Sequence, residues 1–83
     1  MNRRRLLRRI QSGALANIRF EDFQDLIVGL GYTLDRVNGD HFIYEHERIL
    51  EYLNIQPLGG DAKVYQVREL LKYIREYNLE LEA

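Results

Sequence analysis

The feature that most constrains this chain is a change of hydrophobic period at Gly31. Before it, Phe23, Leu26, Ile27 and Leu30 recur at the three- and four-residue spacing that lines one face of a helix. After it, Tyr32-Thr33-Leu34-Asp35-Arg36-Val37 and Asp40-His41-Phe42-Ile43-Tyr44-Glu45 read as strands, being rich in β-branched and aromatic residues. Between them stands Asn38-Gly39, a dipeptide that favours a two-residue hairpin loop. A helical stripe followed at once by a hairpin requires a helix packed on an antiparallel sheet, so the fold class is α+β.

The rest of the chain extends this pattern. Residues 2–11 read as a short helix with Leu6, Leu7 and Ile10 as a narrow apolar stripe, and residues 12–17 as a connector. The second helix runs from Phe20 to Leu30, with Glu21 and Asp22 in its first turn, where the helix dipole favours acids, and Gly31 as its stop. The charged segment His46 to Glu51 has no clear period and is read as a loop before a third strand, Tyr52 to Gln56, which Pro57-Leu58-Gly59-Gly60 closes. Val64, Val67, Leu71 and Ile74, widened by Leu70 and Tyr77, predict a final helix ending near Asn78, and residues 79–83 an acidic frayed tail. The expected order is α-α-β-β-β-α, a three-stranded antiparallel sheet with helices on one face.

At 83 residues the chain holds one domain, which excludes a two-domain enzyme. The absence of cysteine excludes a disulfide framework, a thiolate zinc site and a cysteine nucleophile. Met1-Asn2-Arg3-Arg4-Arg5 leads into neither an apolar run of about 18 residues nor a signal-peptide core, so the expectation is a cytoplasmic protein without a membrane partner. The net charge of −1 conceals a division: residues 1–20 carry six arginines and no acid, and residues 21–83 carry six basic against thirteen acidic groups. The basic end attracts a polyanion and the acidic remainder repels it. The arginine run is open to three readings: a grip on RNA, a contact to an acidic protein, or, least in keeping with its three apolar side chains, a membrane surface.

Candidates for chemistry are few. There is no Gly-rich phosphate loop and no Gly-x-Ser-x-Gly elbow, and no cofactor is expected. His41 and His46 are five apart, so a continuous strand sends them to opposite faces, and no metal site is expected. With Asn38-Gly39 as the loop, Val37 pairs with Asp40 and Arg36 lies across from His41 on one face. A guanidinium there favours the neutral, base-competent imidazole and can hold a phosphate oxygen, a combination suited to RNA cleavage, in which a base removes the 2′-hydroxyl proton and a cation stabilises the phosphorane. The plain alternative is a surface histidine at a turn.

Three motifs in order carry a family resemblance. Gly39-Asp40-His41-Phe42-Ile43-Tyr44, then Leu53-Asn54-Ile55-Gln56-Pro57, then Gly60-Asp61-Ala62-Lys63-Val64-Tyr65-Gln66-Val67 resemble the HicA family of mRNA interferase toxins, over residues 17–78. The family pattern is Gly-Ser/Thr-His-x-x-Tyr/Phe, followed in one subgroup by Asn-Leu-Gln-Pro and Gly-Lys-Ala-Lys-Pro-Tyr-Gln-Val. The resemblance implies a double-stranded-RNA-binding-like α-β-β-β-α fold, a metal-independent endoribonuclease acting on mRNA with His41 as catalytic residue, and a HicB-like antitoxin as partner. Residues 1–16 then form a basic N-terminal extension outside the 17–78 core.

The departures are at charged positions. Asp40 stands where the family has Ser or Thr, Asp61 where the subgroup has Lys, and Val64 where it has Pro. Asp40 either orients the imidazole or repels the scissile phosphate, which leaves open a non-catalytic RNA- or protein-binding module of the same fold. Asp61 reads as a cap for the final helix. Arg36, Lys63, Tyr65 and Arg68 are the RNA-binding candidates: the cations for phosphates near a helix N-terminus, Tyr65 for stacking on a base. The alternative for the last three is a solvated face, with Tyr65 covering the core.

Overall fold

In the computed structural model, which describes residues 1–82, Asn2 starts the first helix. Its side-chain oxygen accepts the backbone N–H groups of Arg4 and Arg5, at 2.8 and 3.2 Å, and the chain continues as α1, Arg3–Gln11. Leu6 and Ile10 are fully buried in the common core, so α1 is an integral element rather than an appendage to residues 17–78. Helix α2, Phe20–Gly29, buries Phe23, Leu26 and Ile27 as its spacing predicts. Gly31 follows at φ 98°, a conformation that side chains with a Cβ rarely adopt, and ends the helical region as expected.

The sheet consists of β1 (Thr33–Asn38), β2 (His41–His46) and β3 (Ile49–Ile55), antiparallel in the order β1-β2-β3. Two sequence expectations fail here. The β1–β2 loop is Gly39-Asp40, not Asn38-Gly39, and Asn38 pairs with His41. Only Gly39 in this turn has positive φ (65°), the pattern of a two-residue loop with glycine first. The reason is the apolar register: this pairing sets Val37 against Phe42 and Leu34 against Tyr44, whereas the Asn38-Gly39 loop would set Val37 against Asp40. Leu34 and Val37 are an odd distance apart, and an irregularity between Leu34 and Arg36 brings both to the helix-side face. Second, residues 46–51 are not a loop. Glu47-Arg48 is a tight turn, His46 pairs with Ile49, and β3 begins three residues earlier than its alternation suggested.

Pro57-Leu58-Gly59-Gly60 does more than close a strand. It begins a second small hairpin, β4 (Pro57–Leu58) with β5 (Asp61–Ala62), which also ties down the approach to α2. Ala62 N–H donates to the Ile18 carbonyl at 2.8 Å, and Phe20 N–H to that of Gly60 at 2.9 Å. Asp61 therefore lies in β5. The residue at the N-cap of the last helix, α3 (Val64–Tyr77), is Lys63, with no side-chain capping bond.

All three helices contribute to one core, with Phe23, Leu26, Leu30, Leu53, Ile55, Val67 and Leu70 nearly inaccessible. Burying each such side chain contributes about 1.5–3 kcal/mol. Asn78 adopts the left-handed conformation at the end of α3 and turns the chain back over the core, rather than into a frayed tail. Leu79 is buried, and Glu82 N–H donates to the Gly29 carbonyl at 2.8 Å. Ala83, the last residue assigned to the tail, lies outside the described residues. Among the described residues, no helix is long and apolar enough to cross a membrane.

Candidate active site on the open face of the sheet

Strand β2 sorts its residues by parity. Phe42, Tyr44 and His46 turn toward the helices, and His41, Ile43 and Glu45 take the other face. The two histidines consequently lie on opposite faces, as their odd separation predicts. His46 is buried and structural: its Nε2–H donates to the Leu30 carbonyl at 3.1 Å, its Nδ1 accepts the Arg48 N–H at 3.1 Å, and its ring stands edge-on to Tyr32 at 5.0 Å. Among the described residues, no group of three or more histidines and carboxylates could hold a metal ion.

His41 has the opposite environment. Its side chain is 43% exposed at the start of β2. Its Nδ1 lies 3.0 Å from Oδ1 of Asn54, a residue of β3 on the same face. An amide oxygen only accepts, so Nδ1 carries a proton, and in the neutral ring the lone pair is on Nε2, directed away from that bond. The imidazole is thereby held in one orientation with its second nitrogen available to a substrate. Asp40 Oδ1 lies 3.9 Å from this Nε2, beyond hydrogen-bonding distance.

The candidate cations divide between two regions. Arg36 is not across from His41: it pairs with Ile43, and its guanidinium lies over the Tyr52 ring, 5.6 Å from the centroid, while also bonding Asp35. It remains on the open face, one row along the sheet. The premise that Arg36 conditions His41 directly is therefore lost.

Lys63 and Tyr65 approach from α3. Gln56 connects them to the His41 turn: its side-chain amide donates to both Asp40 oxygens at 3.4 Å, and its backbone N–H donates to Gln66 Oε1 at 3.0 Å. Gln66, buried at 5%, donates in turn to the Tyr65 hydroxyl at 3.4 Å, and Lys63 Nζ lies 6.0 Å from the Tyr65 ring centre. Tyr65 does not cover the core; it is 60% exposed, as a stacking surface must be. Arg68 is exposed on the next turn of α3 with no hydrogen bond or ion pair among the described residues.

Sequence reasoning missed Asn54 and Gln56 as site residues. The signal existed, since Asn54 and Gln56 are the alternate polar positions of a strand whose Leu53 and Ile55 enter the core. The arginine run, by contrast, is remote from this chemistry. Helix α1 packs on α2 and α3 in the helical layer, with Arg3 bonded to Asp25 by two 2.9 Å contacts and Arg9 to the Ala16 carbonyl. Arg4, Arg5 and Arg8 remain exposed there.

No family model matches this sequence, and no curated protein or solved structure matches it either. The functional reading therefore rests on the residues themselves.

Proposed function

We propose that this protein is a HicA-like endoribonuclease toxin that cleaves mRNA in the cytoplasm without a metal ion and is neutralised by a HicB-like antitoxin. The observation that carries the reading is the His41 arrangement: Nδ1 held by Asn54 at 3.0 Å and Nε2 open on an exposed face. Apart from the small β4–β5 hairpin before α3, the order α1-α2-β1-β2-β3-α3 suits a double-stranded-RNA-binding-like arrangement with a helix added at the N-terminus. In this reading His41 Nε2 takes the proton of a 2′-hydroxyl, whose oxygen attacks the adjacent phosphorus. The 5′-oxygen leaves, drawing a proton from water, and the products are a 2′,3′-cyclic phosphate and a 5′-hydroxyl end. Arg36 and Lys63 contact phosphates on either side of His41, Arg68 extends that contact along α3, and Tyr65 stacks on a base.

Expression of the wild type and of His41→Ala without antitoxin tests this. Growth arrest and mRNA loss only in the wild type are expected; equal growth and intact mRNA in both overturn the enzymatic reading. Asp40 supports the second reading, a non-catalytic RNA- or protein-binding module, because a carboxylate 3.9 Å from Nε2 opposes an incoming phosphate. Under that reading the wild type is inert and Asp40→Ser gains toxicity.

A further inference from the structure

Strand β1 is an edge of the sheet, and all six of its residues are exposed. Leu34 and Val37 share the helix-side face through their partners Tyr44 and Phe42, yet the helices do not cover them: they are 44% and 50% exposed. Between them stand Asp35 and Arg36, bonded to each other. An exposed edge with two uncovered apolar side chains is a site for pairing with another strand.

The order of these residues selects the partner. Written antiparallel against itself about the Asp35–Arg36 peptide, the segment Thr33-Leu34-Asp35-Arg36-Val37-Asn38 sets Leu34 opposite Val37, Asp35 opposite Arg36 and Thr33 opposite Asn38. Apolar meets apolar and acid meets base, twice each by symmetry. The irregularity near Asp35 would put an unrelated regular strand out of step, whereas a second copy carries the same one at the symmetric position. Opposite charges facing each other across strands stabilise, and like charges there repel.

We propose that β1 is a homodimer interface, in which two copies pair their β1 edges about a two-fold axis perpendicular to the sheet. The result is a six-stranded sheet in which the two open faces, each with its His41, lie on the same side. The Asp35–Arg36 pairs exchange partners across the axis. The contact is isologous and closes after two copies, so it does not propagate into a filament.

A six-residue edge is smaller than the roughly 1,200 Å² of a standard interface, so the dimer is concentration-dependent. Sedimentation equilibrium of the full chain from about 10 μM to about 1 mM spans the range such an interface needs. Wild type should pass from monomer to dimer. Asp35→Arg alone and Arg36→Asp alone each place like charges across the axis and should weaken association by about tenfold or more. The double swap Asp35→Arg with Arg36→Asp should restore it, as should an equimolar mixture of the two single variants, with far-ultraviolet circular dichroism verifying the fold of each. A wild type that stays monomeric throughout, or association that the single variants leave unchanged or the double swap fails to restore, overturns the proposal.

Discussion

His41 Nδ1–H and Asn54 Oδ1 meet at 3.0 Å across two adjacent strands, and this bond determines which imidazole nitrogen faces outward. Asn54 supplies the aim: by accepting from Nδ1–H it leaves Nε2 as the outward nitrogen, the one that would act as base in the proposed ribonuclease. If the protein is the proposed ribonuclease, His41→Ala is expected to lower the RNA cleavage rate of the purified protein by about a hundredfold or more. Asn54→Ala should give a smaller loss in kcat with KM nearly unchanged, the mark of a positioning residue. A larger loss in KM than in kcat would place Asn54 in RNA binding instead.

Tyr32 carries the one buried side-chain polar atom without a partner among the described residues, its hydroxyl. Tyr32→Phe removes that group and is expected to raise stability by about 1 kcal/mol, read as a higher midpoint in urea. Burial also holds this hydroxyl well above the ordinary phenol range, with the nearby Tyr73 and Glu69 adding to the shift. A raised folded-state pKa means that the contribution is complete below the unfolded value of about 10 and is lost as pH rises beyond it. The wild type should therefore lose stability faster than Tyr32→Phe above about pH 10.

Helix α1 joins basic and core functions in one element, and the two are separable. Leu6→Ala or Ile10→Ala is expected to destabilise by about 2–5 kcal/mol, because each opens a cavity among buried neighbours. Replacing exposed Arg4, Arg5 and Arg8 by Glu should change stability by no more than about 0.5 kcal/mol each. If RNA binding uses these arginines, the triple variant also shows a shallower dependence of affinity on salt, measured by fluorescence anisotropy.

The docked C-terminal segment predicts a coupled pair of defects. Gly31→Ala forces a side chain onto φ 98° and brings its Cβ to 2.6 Å from Glu82 Oε2 and 3.0 Å from His46 Nε2. The expected cost is about 1–3 kcal/mol. Leu79→Ala should cost about 2–5 kcal/mol through the cavity it leaves. Thermal unfolding measures both, and a Leu79→Ala protein as stable as the wild type would show that the segment is not part of the core.

Local pattern determined a great deal here. The stripe Phe23, Leu26, Ile27, Leu30 and the stripe Val67, Leu71, Ile74 each specify a helix, because their spacing leaves one face to bury, whereas Val64, expected in the second stripe, stays 39% exposed at the first turn. The split of His41 and His46 to opposite faces follows from strand parity alone, and His41 stood out from the motif around it. Tertiary structure decided what depends on partners distant in sequence. The loop moved to Gly39-Asp40 because pairing Val37 with Phe42 and Leu34 with Tyr44 outweighs a local preference of Asn38-Gly39. That shift of register took Arg36 from His41 to Tyr52, and the pairing of β2 with β3 gave His41 the side chain of Asn54, thirteen residues away. Likewise α1 and residues 79–82 read as basic and acidic ends, and only a shared core with room for Leu6, Ile10 and Leu79 made them structural. Spacing encodes which face a residue takes; which neighbour it meets there is settled only when the whole apolar set is buried at once.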